Sequence, residues 1–175
     1  MEKERYLKQR VASIRVEPYL ATYARKKFEI DPKTGGIKIP DNFDLYHCVW
    51  QLMQRCPKDA PVAEEPNLTI WLPSRRAIDG QPGKHPEYWN YLSPRSARLI
   101  EKSLRRLFNY EFHYYMDQAT HGANPQTKVD AIRQFIRSYG IDLDSEDALI
   151  KNYQRYERTM KVFLGIKKGK NKKNR

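Results

Sequence analysis

From Ser93 onward an apolar residue returns every three or four positions for more than twenty residues: Leu99/Ile100, Leu104, Leu107/Phe108, Phe112 and Tyr115/Met116. This period is helical, and the alternation of a strand cannot meet it. Ser93-Pro94 supplies an N-cap followed by proline at the first helical position, and Gly122 to Pro125 breaks the run. Two further helices follow. Val129, Ile132, Phe135, Ile136 and Tyr139 share one face, ended by Gly140 as a C′ glycine. The last helix begins at Ser145 with Glu146 and Asp147 in its first turn, where acids suit the helix dipole.

The residues before this long helix read differently. Ser13-Ile14-Arg15-Val16 alternates like a short strand, and Pro18 then opens a helix with Leu20, Tyr23, Ala24 and Phe28 at helical spacing. A turn cluster, Asp31 to Gly36, leads into Ile37-Lys38-Ile39. Pro40-Asp41-Asn42 is read as the cap of a helix carrying Leu45, Val49, Leu52 and Met53 on one face. Leu68 to Leu72 alternates most clearly, and Ser74 to His85 reads as a long exposed loop. The expected fold is α+β and predominantly helical. It divides into a small α+β part (1–92), a helical part ending in a helix–turn–helix-like pair (93–161), and a disordered basic tail (162–175).

Charge is concentrated at one end. The 175 residues carry a formal net charge of +12, yet residues 151–175 hold ten Lys and Arg against the single acid Glu157. A segment of +9 leaves only +3 for the rest of the chain, and such asymmetry is the footprint of a polyanionic partner. Two cysteines, Cys48 and Cys56, fit a reducing compartment, and the start of the chain lacks the apolar core of a secretory signal. The longest uncharged apolar-rich run, Leu45 to Gln54, falls far short of the ~20 residues that span a bilayer. A cytoplasmic location without membrane attachment is expected.

The helix after Ser145 has two stripes. Leu149, Tyr153, Tyr156 and Met160 fall at i, i+4, i+7 and i+11, while Lys151, Arg155 and Arg158 repeat about 200° away at roughly 100° per residue. Docking the apolar stripe on the preceding helix would leave Lys151, Asn152, Arg155 and Arg158 facing outward. Lysine and arginine neutralise phosphates, and arginine and asparagine also pair with base edges. With the short linker at Gly140, the helix pair suits a bihelical DNA-binding element. Lys161 and the tail residues Lys167, Lys168, Lys170, Lys172 and Lys173 would extend the contact along a phosphate backbone. A solvated helix face and a solubilising tail are the bland alternatives.

A second basic stripe, Arg95, Arg98, Lys102, Arg105 and Arg106, lies on the long helix against the single acid Glu101. Near the loop bearing Arg75, Arg76 and Lys84, the aromatics Tyr88, Trp89 and Tyr91 could stack single-stranded bases. The favoured reading makes them a staple that holds the loop to the core. Catalytic signatures are missing: the four histidines are scattered, His47-Cys48 with Cys56 lacks zinc spacing, and no phosphate-binding glycine loop is present. Asp41, Asp44, Glu64 and Glu65 read as caps and an acidic loop rather than metal ligands. No cofactor or metal is expected, and the chain is read as a non-enzyme.

The start SIRVEPYLATYARKKF resembles a ribbon–helix–helix module, with a short strand bearing Arg15 and a helix opened by proline. The resemblance implies a homodimer whose paired strands enter the major groove. The sequence departs from that pattern in returning to a strand where a second helix should follow. The overall expectation is a DNA-binding protein, with DNA rather than RNA as the nucleic acid, working as a regulator or accessory factor of a mobile element or phage. The competing expectation is an assembly factor whose tyrosine-rich long helix is a protein interface.

Overall fold

The computed structural model describes residues 10–60, 65–74, 83–142 and 146–165. Among the described residues, five helices and a four-stranded sheet make an α+β fold that is predominantly helical. The chain forms two compact units, residues 1–109 and 110–175. The boundary between these units falls inside the long helix, whose Phe108 packs on Tyr19 and Tyr23 in the N-terminal unit.

In the N-terminal unit, β1 (Val11–Ile14) pairs antiparallel with β4 (Leu68–Trp71), placing Val11 opposite Trp71 and Ile14 opposite Leu68. The Ser13 and Thr69 hydroxyls meet across this pair at 3.0 Å. β3 (Ile37–Lys38) runs parallel to β4, and the strand β2 (Glu29–Ile30), which the sequence reading missed, pairs antiparallel with β3. The turn between them is held by the Asp31 carboxylate, which accepts from the Lys33 and Thr34 backbone and from the Thr34 hydroxyl. These bonds, with Lys38 beside it, hold the Asp31 carboxyl below the usual range against the opposing pull of desolvation.

β1 starts and stops two residues earlier than the alternation at Ser13–Val16 indicated. At Val16 the Asn67 side chain replaces the ladder: its Oδ1 accepts from the Val16 N–H at 2.9 Å and its Nδ2 donates to the Val16 carbonyl at 2.7 Å. Both polar groups of Val16 are satisfied without a strand partner, so β pairing has no reason to continue.

α1 (Pro18–Lys27) has proline in its first turn and buries Leu20, Ala21, Tyr23 and Ala24. Its Tyr19 and Tyr23 rings meet Phe108 edge-on at 5.2 and 5.1 Å, a favoured aromatic geometry. α2 (Asp44–Leu52) starts after Phe43 with no side-chain cap, so Asp41 and Asn42 do not make the expected N-cap. Its other end is closed from a distance. The Lys84 ammonium donates to the carbonyls of Trp50, Gln51 and Met53 at 3.0, 2.7 and 3.0 Å.

α3 (Pro94–His121) begins as anticipated, with the Ser93 hydroxyl accepting from the Ser96 N–H at 3.2 Å. It ends at Gly122, where a Cβ would lie 2.4 Å from the Gln118 carbonyl oxygen. In the C-terminal unit, α4 (Lys128–Tyr139) is capped by Thr127, which accepts from the Asp130 N–H and donates to the Asp130 carboxylate at 2.6 Å. It stops at Gly140, whose φ of 65° is left-handed, a region that L side chains enter only under strain. α5 (Glu146–Phe163) completes this unit. Phe112 packs on Phe135 at 5.1 Å and on Tyr153 at 6.3 Å. Each such ring contributes about 1.5–3 kcal/mol by leaving water.

Candidate nucleic-acid interface

α5 is held on its unit by the stripe its periodicity predicted, with a polar network along one margin. Leu149 and Tyr153 are buried, and Tyr156 and Met160 are half-buried. The Asp117 carboxylate on α3 accepts one tyrosine hydroxyl on each oxygen: Tyr153 at 2.9 Å and Tyr156 at 2.8 Å. The Thr120 hydroxyl joins Tyr153 at 3.2 Å. Burial, reinforced by the bond to Asp117, pushes the Tyr153 hydroxyl up to about 12 although the Thr120 contact works the other way. Tyr156 is also raised, chiefly by its bond to Asp117.

Asn152 belongs to this inner network and not to the outward face assigned from the helical wheel. It is half-buried, and its Oδ1 is hydrogen-bonded to Nε2 of His113 at 2.7 Å. The His113 ring in turn stacks on Tyr156 with centroids 4.0 Å apart and planes 16° from parallel. A base-reading role for Asn152 would require breaking a bond inside the unit.

The outer face of α5 carries Lys151, Arg155, Arg158 and Lys161, all exposed. Among the described residues none of the four makes an ion pair, and Arg155 donates only to the Lys151 carbonyl at 3.2 Å. Glu157, the one acid in this stretch, is turned away from them. Lys128 of α4 donates to both of its carboxylate oxygens, at 2.6 and 2.7 Å, while lying over the Tyr153 ring at 5.6 Å. This pair escaped the sequence reading because it joins positions twenty-nine apart that no periodicity relates. It engages the one acid among residues 151–165. The tail lysines Lys167, Lys168, Lys170, Lys172 and Lys173 lie outside the described residues, as does Ser145, where the last helix was expected to begin.

The second stripe divides. Arg95, Arg98, Lys102 and Arg106 are exposed on α3. Arg105 is not available as they are, because it pairs with Glu17 at 2.8 Å and Glu101 at 2.6 Å. Lys84 leaves the candidate binders for a different reason. Its ammonium caps α2 and lies 5.2 Å from both the Trp50 and Trp89 ring centres. Burial pushes its pKa down. The aromatics after it divide as well: Trp89 and Tyr91 are half-buried, Tyr91 bridging to Gln54, while Tyr88 stays exposed. Trp89 lies against Arg55 and Lys84, while residues 75–82 of the loop it was expected to staple lie outside the described residues.

At the N-terminus, β1 is occupied by β4 within its own chain, and Arg15 donates to the Glu65 carboxylate at 2.7 Å. The helix α1 leads to β2 and not to a second helix. These features depart from the ribbon–helix–helix pattern. Among the described residues no group of three or more His, Cys, Asp or Glu side chains could hold a metal, and no helix is long and apolar enough to cross a membrane. Comparison with known proteins adds no family: no family model, curated protein or solved structure matches the chain.

Proposed function

We propose that the protein is a non-enzymatic DNA-binding protein that holds phosphates with the outer face of α5 and the lysine-rich tail. The Lys128–Glu157 pair carries this reading, since it engages the one acid that lies between Lys151 and Lys161. α4 and α5 would act as a bihelical element in which α4 supports and α5 contacts the nucleic acid. A regulator or accessory factor of a mobile element or phage is the biological setting this reading suits.

The test is a salt titration of binding to random duplex DNA. It compares the full chain, a chain ending at Gly165, and K151A/R155A/R158A. Phosphate contacts give an affinity that falls steeply with salt, with a slope of about 0.9 per contact. A steep slope that survives tail removal and collapses in the triple variant supports α5 as the contact. No binding by any version at low salt overturns the reading.

One observation favours the second reading, an assembly factor. Tyr110 and Tyr114, one turn apart on α3, are 71% and 61% exposed. Tyrosine is enriched in protein interfaces, and binding through such a face would depend weakly on salt.

A further inference from the structure

One side of α3 carries cations toward its start and open aromatic rings further along. At about 100° per residue, Arg95, Lys102, Arg106, Tyr110 and Tyr114 fall within an arc of about 120°. Lys102, Arg106, Tyr110 and Tyr114 follow one another at four-residue steps, a rise of about 6 Å each. Each side chain is therefore the neighbour of the next. All five residues are exposed, Tyr110 at 71% and Tyr114 at 61%. The turn of a single helix sets the cations and the rings on one surface.

Charge on this face narrows what can cover it. The acids of α3 are Glu101, Glu111 and Asp117, and none falls inside the arc between Arg95 and Tyr114. Glu101, on the far side, pairs with Arg105 at 2.6 Å. Glu111 accepts from the Tyr139 hydroxyl at 3.2 Å, and Asp117, beyond the second ring, accepts from Tyr153 and Tyr156. Among the described residues Arg95, Lys102 and Arg106 make no ion pair. A protein partner needs an apolar centre closed off from water, but along the helix the rings are bordered by Arg106 and the exposed Gln118. Leu99, the nearest exposed aliphatic side chain on α3, stands about 16 Å before Tyr110 along the axis. A duplex offers charge to the cations but keeps its base faces stacked. A single strand offers phosphates together with open base faces, which is what neighbouring cations and rings hold.

We propose that Tyr110 and Tyr114 stack on unpaired bases of a single strand whose phosphates lie on Lys102 and Arg106. The choice of a polyanion rests on the nucleic-acid reading above, and α3 adds to it a preference for unpaired bases that the α5 cations do not supply. Arg95, seven positions before Lys102 on the same arc, extends the phosphate track.

The full chain, Y110A/Y114A, Y110F/Y114F and K102A/R106A are titrated against a single strand and its duplex, each carrying 2-aminopurine at an internal position, at several salt concentrations. All four residues are exposed, so equal thermal melts are expected and are checked first. With the full chain the 2-aminopurine fluorescence of the single strand falls on binding. With Y110A/Y114A it does not, single-strand affinity falls roughly thirtyfold, and the salt slope is unchanged because no cation is lost. Y110F/Y114F retains both signals, since stacking uses the ring face and not the hydroxyl. K102A/R106A lowers the single-strand salt slope by about 1.4, two contacts at about 0.7 each. Duplex affinity is the same for the full chain and Y110A/Y114A. Equal single-strand affinity and fluorescence in those two proteins would overturn the stacking while leaving the α5 contact intact. An equal loss on single strand and duplex would overturn the preference for unpaired bases. Absence of salt-dependent binding by any version would sink both proposals together. Self-association of the full chain that is insensitive to salt and lost in Y110A/Y114A, with single-strand affinity unaltered, would assign the rings to a second copy instead.

Discussion

In the N-terminal unit several cations lie against acids and carbonyls of their own fold. Arg15 meets Glu65, Lys38 sits between Glu29 and Asp31, Arg105 bridges Glu17 and Glu101, and Lys84 closes α2. The C-terminal unit uses its charges the other way. Lys128 and Arg133 of α4 take up Glu157 and Glu146 from α5, and among the described residues Lys151, Arg155, Arg158 and Lys161 are exposed and make no ion pair. The difference shows that cation count is a poor guide to a binding surface. What matters is whether the acids near a stripe are already engaged elsewhere. Exposed ion pairs such as Arg15–Glu65 add at most about 1 kcal/mol of stability, but each one removes a charge from the field a polyanion would meet.

Substitutions on the two sides should separate this contrast. The largest effect is expected from K151A/R155A/R158A, which should lower DNA affinity on the order of a hundredfold at 0.1 M salt and reduce the salt slope by about 2.7. Stability should stay within about 0.5 kcal/mol, since all three residues are exposed. A triple variant that binds normally would remove the contrast at its stronger end.

Lys84→Met tests the opposite side. Three carbonyls at the end of α2 would lose their donor, and chemical denaturation should report a loss of about 2 kcal/mol, with DNA affinity and salt slope unchanged. A loss of affinity without a loss of stability would return Lys84 to the binding surface.

Next is the network that anchors α5. Tyr153→Phe deletes the bond to Asp117 and should cost about 1 kcal/mol. Tyr153 and Tyr139 are both pushed up to about 12, by burial first and then by Asp117 and Glu111 respectively. Their folded pKa values lie above the unfolded value near 10, so the folded state holds protons that the unfolded state releases. Their contribution is complete below pH 10 and is lost as pH rises toward 12. Circular dichroism with tyrosinate absorbance should show α-helical signal falling across that window, less steeply in Y153F/Y139F. The smallest effect is expected from R95A/R98A/K102A/R106A: less than the α5 triple variant in affinity, even with one more charge removed. A larger effect would move the main interface to α3.

The glycine and cap signals were readable because they act within one or two turns of chain. Ser93 and Gly140 shape the backbone beside them, and helical periodicity states which face is apolar without reference to any partner. The same locality explains the misses. Asp41 and Asn42 have cap chemistry, yet the turn that ends at Phe43 starts α2 without them. β2 spans two residues and is too short to show alternation. Asn152 sits at the border of the two stripes on a helical wheel, where rotation alone cannot decide between solvent and His113.

The helical periods, the stops between them, the inner stripe of α5 and the concentration of positive charge at the end of the chain are all legible in the order of residues. Each depends on neighbours within a few positions or on composition. Which charges remain available follows from the folded arrangement alone. Lys128 reaches Glu157, Arg105 reaches Glu17 and Lys84 reaches the end of α2 across separations that no local pattern encodes. A residue's chemistry is written in the chain, but whether that chemistry is engaged depends on what folding brings within about 3 Å of it.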